Sequence, residues 1–175
     1  MAKQQKFKIK VSKQYSKAER LAIGLDIVDF IQRRSKSGKD KHGVRFPAYS
    51  KEYKDSFDFK LAGKGVKPNL TLSGEMLNAI EVLAWDNTGE LLIGIPENDS
   101  YNNEKAEGNI LGSYGGSPSI TKARDFMGIN SSDLKKVLAN HSISTEAEAE
   151  ANRSKANELL NAHLIASSFA EGLDE

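Results

Sequence analysis

Three histidines, His42, His141 and His163, are the natural general bases of this 175-residue chain, which has no cysteine. None lies three or four residues from another, the spacing that sets two imidazoles on one helix face for a metal. No serine sits in a G-x-S-x-G setting, and none can be tied to a histidine. SGKDKHG, 37–43, and GKG, 63–65, have the composition of phosphate loops without the G-x-x-x-x-G-K-[ST] spacing. GNILGSYGG, 108–116, has four glycines but neither the G-x-G-x-x-G pattern nor the strand-then-helix setting of a dinucleotide site. Asp26 with Asp29, and Glu104 with Glu107, are carboxylate pairs three residues apart. Such pairs can share a divalent cation, but on a helix they read first as solvated charges. The expectation is a protein that is not an enzyme, with no catalytic residue, cofactor or metal.

The densest charge is basic. Arg33, Arg34, Lys36, Lys39, Lys41 and Arg45 face only Asp40 within their stretch. Two readings stay open: a patch for phosphates or an acidic neighbour, and a solvated helix end whose late cations favour the helix dipole. Aromatic residues do not alternate with these cations as a single-strand stacking platform requires, which argues against sequence-specific nucleic-acid binding. The asymmetry runs through the chain. Residues 1–67 hold 18 Lys and Arg against 7 Asp and Glu, whereas residues 68–175 hold 7 against 17. Opposite surfaces of this kind suit head-to-tail association of copies.

The elements that position these groups are legible from spacing. Hydrophobic residues make up 38% of the chain and charged residues 28%. No apolar run approaches the roughly 20 residues needed to cross a bilayer. MAKQQKFKIKV is basic and lacks the apolar core of a signal peptide, so a cytosolic origin is expected. FKIKV, 7–11, alternates as a short half-buried strand, although its lysine density also suits a disordered arm. Ser16 and Glu19 form a capping box. Leu21, Leu25, Val28 and Ile31, widened by Ile23, Ile27 and Phe30, then predict a long helix ending near Gly38, buried on more than one side. Gly24 inside it points to a close approach by another backbone. Tyr53, Phe57 and Leu61 predict a second helix closing at Gly63, and Met76, Leu77 and Ile80 a short amphipathic turn. Ile80–Trp85 and Glu90–Ile95 flank the turn sequence DNTG and predict a β-hairpin. Residues 96–121 form a long Gly/Asn/Ser-rich connection of the kind that binds or orders on assembly. NSSDLKKVLAN opens with Asn130 and Asp133 as cap residues of a short helix. From Thr145, with Glu148 in a second capping box, a C-terminal helix is expected, packed either on its own domain or on a neighbour.

The order of these pieces carries more than any one of them. GKDKHGVRFPAYSKEYKDS precedes NLTLSGEMLNAIEV, a hairpin ending ELLIGIP follows, then NNEKAEGNILGSYGG, then KARDFMGINSSDLKKVL. This order resembles the tail-completion and neck proteins of tailed bacteriophages, also called virion morphogenesis or minor tail proteins. Gly43, Phe46, Tyr49, Ser50 and Tyr53 match that family's first segment. Leu72, Ser73, Gly74, Met76 and Leu77 match the second. Glu104, Ala106, Glu107, Gly108 and Asn109 match a helix-to-glycine element, and Ala123, Arg124, Phe126, Met127 and Gly128 the last. Asp125 stands where the family often has proline, and Ser73 where threonine is frequent. The resemblance covers roughly residues 16–140.

It implies an α+β fold, a long N-terminal helix packed on a small antiparallel sheet. The N-terminal strand and the tail from about Thr145 lie outside the pattern; with them the expected organisation is a basic strand or arm over 1–15, the α+β domain over 16–140 with extended loops, and a C-terminal helical extension over 141–175. The implied role is structural: copies in a ring around the DNA channel at the head–tail junction or the top of the tail, assembled in the host bacterial cytoplasm. Its partners would be copies of itself and other connector, tail-tube or terminator proteins, with packaged DNA in the channel as an open option and no membrane. Arg33, Arg34, Lys39, Lys41, Arg45, Glu104, Glu107, Tyr114, Arg124 and Asp125 are the expected assembly contacts, and Gly74, Gly108, Phe126 and Gly128 the structural motif positions. Arg124 is expected to anchor the loop through backbone carbonyls or a carboxylate, and its replacement by alanine to leave the monomer folded. The alternative is an accessory protein binding nucleic acid nonspecifically through the basic N-terminal half.

Overall fold

The computed structural model describes residues 3–61, 63, 65, 67–71, 74–86, 88–112 and 122–141, with 154, 155, 157 and 158 beyond them. But for those four residues the expected C-terminal helix lies outside this set, as does Tyr114.

The fold is α+β. Strand β1, Lys6–Lys10, leads into helix α1, Lys17–Lys36. The short helices α2, Lys51–Asp55, and α3, Phe57–Leu61, precede the single turn α4, Glu75–Asn78. Strands β2, Glu81–Trp85, and β3, Glu90–Gly94, make the hairpin, and helices α5, Ser100–Leu111, and α6, Ser131–Ala139, follow. The sheet is antiparallel with the order β1-β3-β2. Phe7 stands opposite Ile93 and Ile9 opposite Leu91, so β1 is an integral strand. Lys6, Lys8 and Lys10 alternate outward along this edge, and such charges discourage pairing with a foreign strand. In the hairpin turn, the Asp86 carboxylate accepts from the Thr88 amide at 2.9 Å and the Glu90 amide at 3.0 Å. The Thr88 hydroxyl and these amides hold Asp86 below the usual carboxylate pKa.

One face of the sheet is covered by α1, whose start is set by the capping box: the Glu19 amide donates to Ser16, and the Ser16 amide to the Glu19 carboxylate. Leu21, Ile23, Ile27, Val28 and Ile31 bury against Ile9, Val82, Leu91 and Ile93. Gly24 sits where α1 crosses β2. A Cβ there would lie 2.8 Å from one Val82 methyl and 3.2 Å from the other. The close approach is therefore to a strand side chain, rather than to the backbone expected from the sequence.

One expected helix is corrected. The helix expected over Tyr53, Phe57 and Leu61 is split at Ser56, whose backbone is extended with φ −66° and ψ 152°. The break turns Phe57 and Leu61 outward, 76% and 74% exposed, and lets Tyr53 pack with Tyr49 and Phe59 instead. The connection over 96–121 opens with α5, in line with the helix-to-glycine match at 104–109. Asp99 caps α5, and the buried Asn103 donates to the carbonyls of Pro96 and Asp99 while accepting from the Gln5 amide at 2.7 Å.

Candidate assembly site

The four family-like segments, scattered from Gly43 to Gly128, meet around two buried arginines. Arg34 leaves α1 on its inner side and is only 6% exposed. Its Nη2 donates to the carbonyls of Phe126 and Gly128, each at 2.7 Å. Its Nη1 reaches the Lys41 carbonyl at 3.5 Å. Burial draws its pKa down from the usual arginine value, while Asp133, Asp40 and Asp125 act in the opposite sense. Among the described residues no carboxylate stands within ion-pair distance of it. Carbonyl dipoles, rather than a counter-ion, hold this cation.

Arg124 is also 6% exposed. Its amide donates to the Asn109 carbonyl at 2.7 Å, and its guanidinium lies over the Tyr49 ring, 5.3 Å from the centroid, with Nη2 3.4 Å from the Pro47 carbonyl. Tyr49, Tyr53 and Phe59 form a mutual aromatic cluster with centroids 5.1–5.5 Å apart. Asn109 extends the connection by donating to the Met76 sulfur at 3.6 Å. A carbonyl anchor for Arg124 is thus in place. Its burial changes the expectation for alanine at this position, because the monomer itself loses the contact with Tyr49.

Basic side chains adjacent in sequence part in space. Arg33 points outward, its side chain 72% exposed, and pairs with Asp29 at 2.5 Å. Arg34, expected as an assembly contact, is interior: one step along a helix turns a side chain through about 100°, which carries it from solvent to core. Lys41 and Asp125, also expected to face a neighbour, pair with each other at 2.5 Å, and the Lys41 amide donates to the Asp125 carbonyl. Lys39 and Arg45 are exposed and share a backbone bridge. Glu104 is exposed and Glu107 half-buried on α5. Gly74, with φ 87°, starts α4 in the left-handed region that favours glycine. Gly108 and Phe126 are buried, and Gly128, with φ 136°, lies beneath the Lys41 side chain.

Between the end of α1, the turn after it and the start of α6 lies a cleft of about 650 Å³. Arg33, Arg34, Lys39 and Lys136 line it against one carboxylate, Asp133, with His42 and Ser132 also on its wall. Asp133 is held by Lys136 at 2.8 Å and by the Asn130 amide group at 2.8 Å. Those contacts, the Lys136 bond first, keep its pKa below the usual carboxylate value against the opposing effect of burial. The contribution of α6 to this cleft was not foreseen; the Asn130 cap is the sequence signal that places its first turn. His141 and Asp26, 115 residues apart, also meet at 2.8 Å. Among the described residues no three His, Cys, Asp or Glu side chains converge as a metal site requires, and no helix is long and apolar enough to cross a membrane. No family model matches the chain, and no curated protein or solved structure matches it either.

Proposed function

We propose that the chain is a structural protein of a tailed-bacteriophage virion, one of the copies forming a ring at the head–tail junction or the top of the tail. The observation that carries the reading is the meeting of the four family-like segments at one place. Tyr49 lies under Arg124, Met76 receives Asn109, the Asn109 carbonyl receives the Arg124 amide, and Phe126 and Gly128 are tied to Arg34. These segments lie far apart in the chain and are tied to one another in the fold. The arrangement anchors loops. The opposed charges of the two halves of the chain give copies complementary surfaces.

In this reading Arg34, Arg124, Lys41 and Asp125 shape the subunit, and the exposed Arg33, Lys39, Arg45 and Glu104 are left to meet neighbours. Electron microscopy of particles assembled without the protein tests it. Heads and tails accumulating separately are expected; joined, infectious particles would end the proposal.

A further inference from the structure

We propose that the cleft between α1 and α6 binds a phosphate group, most favourably one carried by the backbone of a nucleic-acid strand. The inference is independent of the virion reading. Four cations line the cleft against one carboxylate; Arg33 also pairs with Asp29 outside the lining, and Asp133 already receives Lys136 and Asn130. One of the four cations is Arg34, more than nine-tenths buried, with its Nε lacking a partner among the described residues. A charge removed from water is screened less than one on the surface, so it reaches into the cleft more strongly than an exposed lysine does.

The start of α6 adds to this field. Asn130 caps the helix by accepting from the Asp133 amide, and the Leu134 amide is satisfied by the Asn130 carbonyl. The amides of Ser131 and Ser132 precede them in the first turn, where backbone N–H groups have no intrahelical acceptor. Ser132 itself lines the cleft. Helix N-termini of this kind receive phosphate oxygens. Of the two rings among the described residues of the wall, His42 and Phe30, the second is already occupied by the Arg34 guanidinium, 5.7 Å from its centroid. Cations outnumber rings on this wall, so it suits the charged backbone more than the bases. Lys36 and Arg45, exposed and close to these residues in sequence, extend the positive surface for a strand longer than one nucleotide.

The test uses the full chain, a fluorescently labelled 12-nucleotide single strand and inorganic phosphate. The expected result is salt-sensitive binding of the strand, weakened at least tenfold by Lys39→Glu with Lys136→Glu. Lys51→Glu with Lys60→Glu, the same charge change on α2 and α3, should stay within about twofold of the parent chain. Losing phosphate contacts should also flatten the dependence of log affinity on log salt by about 0.7 per contact. In amide NMR, Ser131 and Ser132 should shift on titration. A shift with the strand at lower phosphate concentration than with inorganic phosphate assigns the site to nucleic acid. A shift with inorganic phosphate alone keeps the phosphate site and assigns it to the free anion. Equal weakening by both double variants, or Ser131 and Ser132 amides unmoved by either ligand, would overturn the proposal.

Discussion

Replacing Arg34 by methionine keeps an aliphatic stem of similar length and removes the guanidinium that ties α1 to Phe126 and Gly128. Both carbonyls accept at 2.7 Å in a buried setting, so the variant leaves two buried acceptors without their donor. Each such orphan costs about 1–3 kcal/mol. The desolvation that Arg34 no longer undergoes offsets part of that sum, leaving a net loss of about 3 kcal/mol. For a chain of this size each kcal/mol lowers the melting temperature by about 2–4 °C, so a fall of roughly 6–12 °C is expected. Arg33→Met is the internal control. It removes an equal charge one residue away, from an exposed pair with Asp29 of a kind that contributes about 0–1 kcal/mol. Thermal melts followed by circular dichroism, with urea midpoints on the same samples, compare the two. If the variants melt within about 2 °C of each other, the Arg34 tie does not hold this fold and the reasoning from burial is wrong.

Gly24→Ala should destabilise despite alanine's better helix propensity, because the new methyl meets Val82 at 2.8 Å and overpacking costs about 1–3 kcal/mol. Urea titration of the Gly24→Ala, Val82→Ala double variant should show the two changes to be non-additive. Asn103→Ala removes the donor to Pro96 and Asp99 and the acceptor for Gln5, with an expected loss of about 2 kcal/mol. Hydrogen exchange should show the Gln5 amide losing protection in that variant. The pKa of Asp133 is depressed in the folded protein, chiefly by its bond to Lys136, so its contribution to stability is present above the ordinary carboxylate value and fades as pH falls through the folded value. Asp133→Asn should therefore be less stable than the parent at pH 7 and show a smaller further loss at pH 3, read from urea midpoints at both.

Local features could be read from the chain because their causes are local. The capping box needs only Ser16 and Glu19, three residues apart, and the hairpin only a turn sequence between two apolar runs. The α1 stripe was legible from spacing alone, and Gly24 from its misfit in a helix. What could not be read depends on partners far along the chain. Arg34 and Arg33 have the same chemistry and differ only in which face of α1 they occupy, and Arg34 is drawn inward by carbonyls 92 and 94 residues away. The interruption at Ser56 was hidden because serine fits a helix start as well as a helix interior. In the cleft, the basic side was visible as a run of charges, but Ser132 and Lys136 arrive from the acidic half of the chain.

The pairing of β1 with β3 bears on how the protein is made. Phe7 emerges from the ribosome 86 residues ahead of Ile93, the residue it faces. At about 5–20 residues per second, the first strand waits on the order of 4–17 s for the middle of its sheet to be synthesised. During that interval α1 can form from its own spacing, but the sheet surface it covers does not yet exist. During that wait Phe7 and Ile9 stand between Lys6, Lys8 and Lys10, charges of the kind that discourage pairing with a foreign strand.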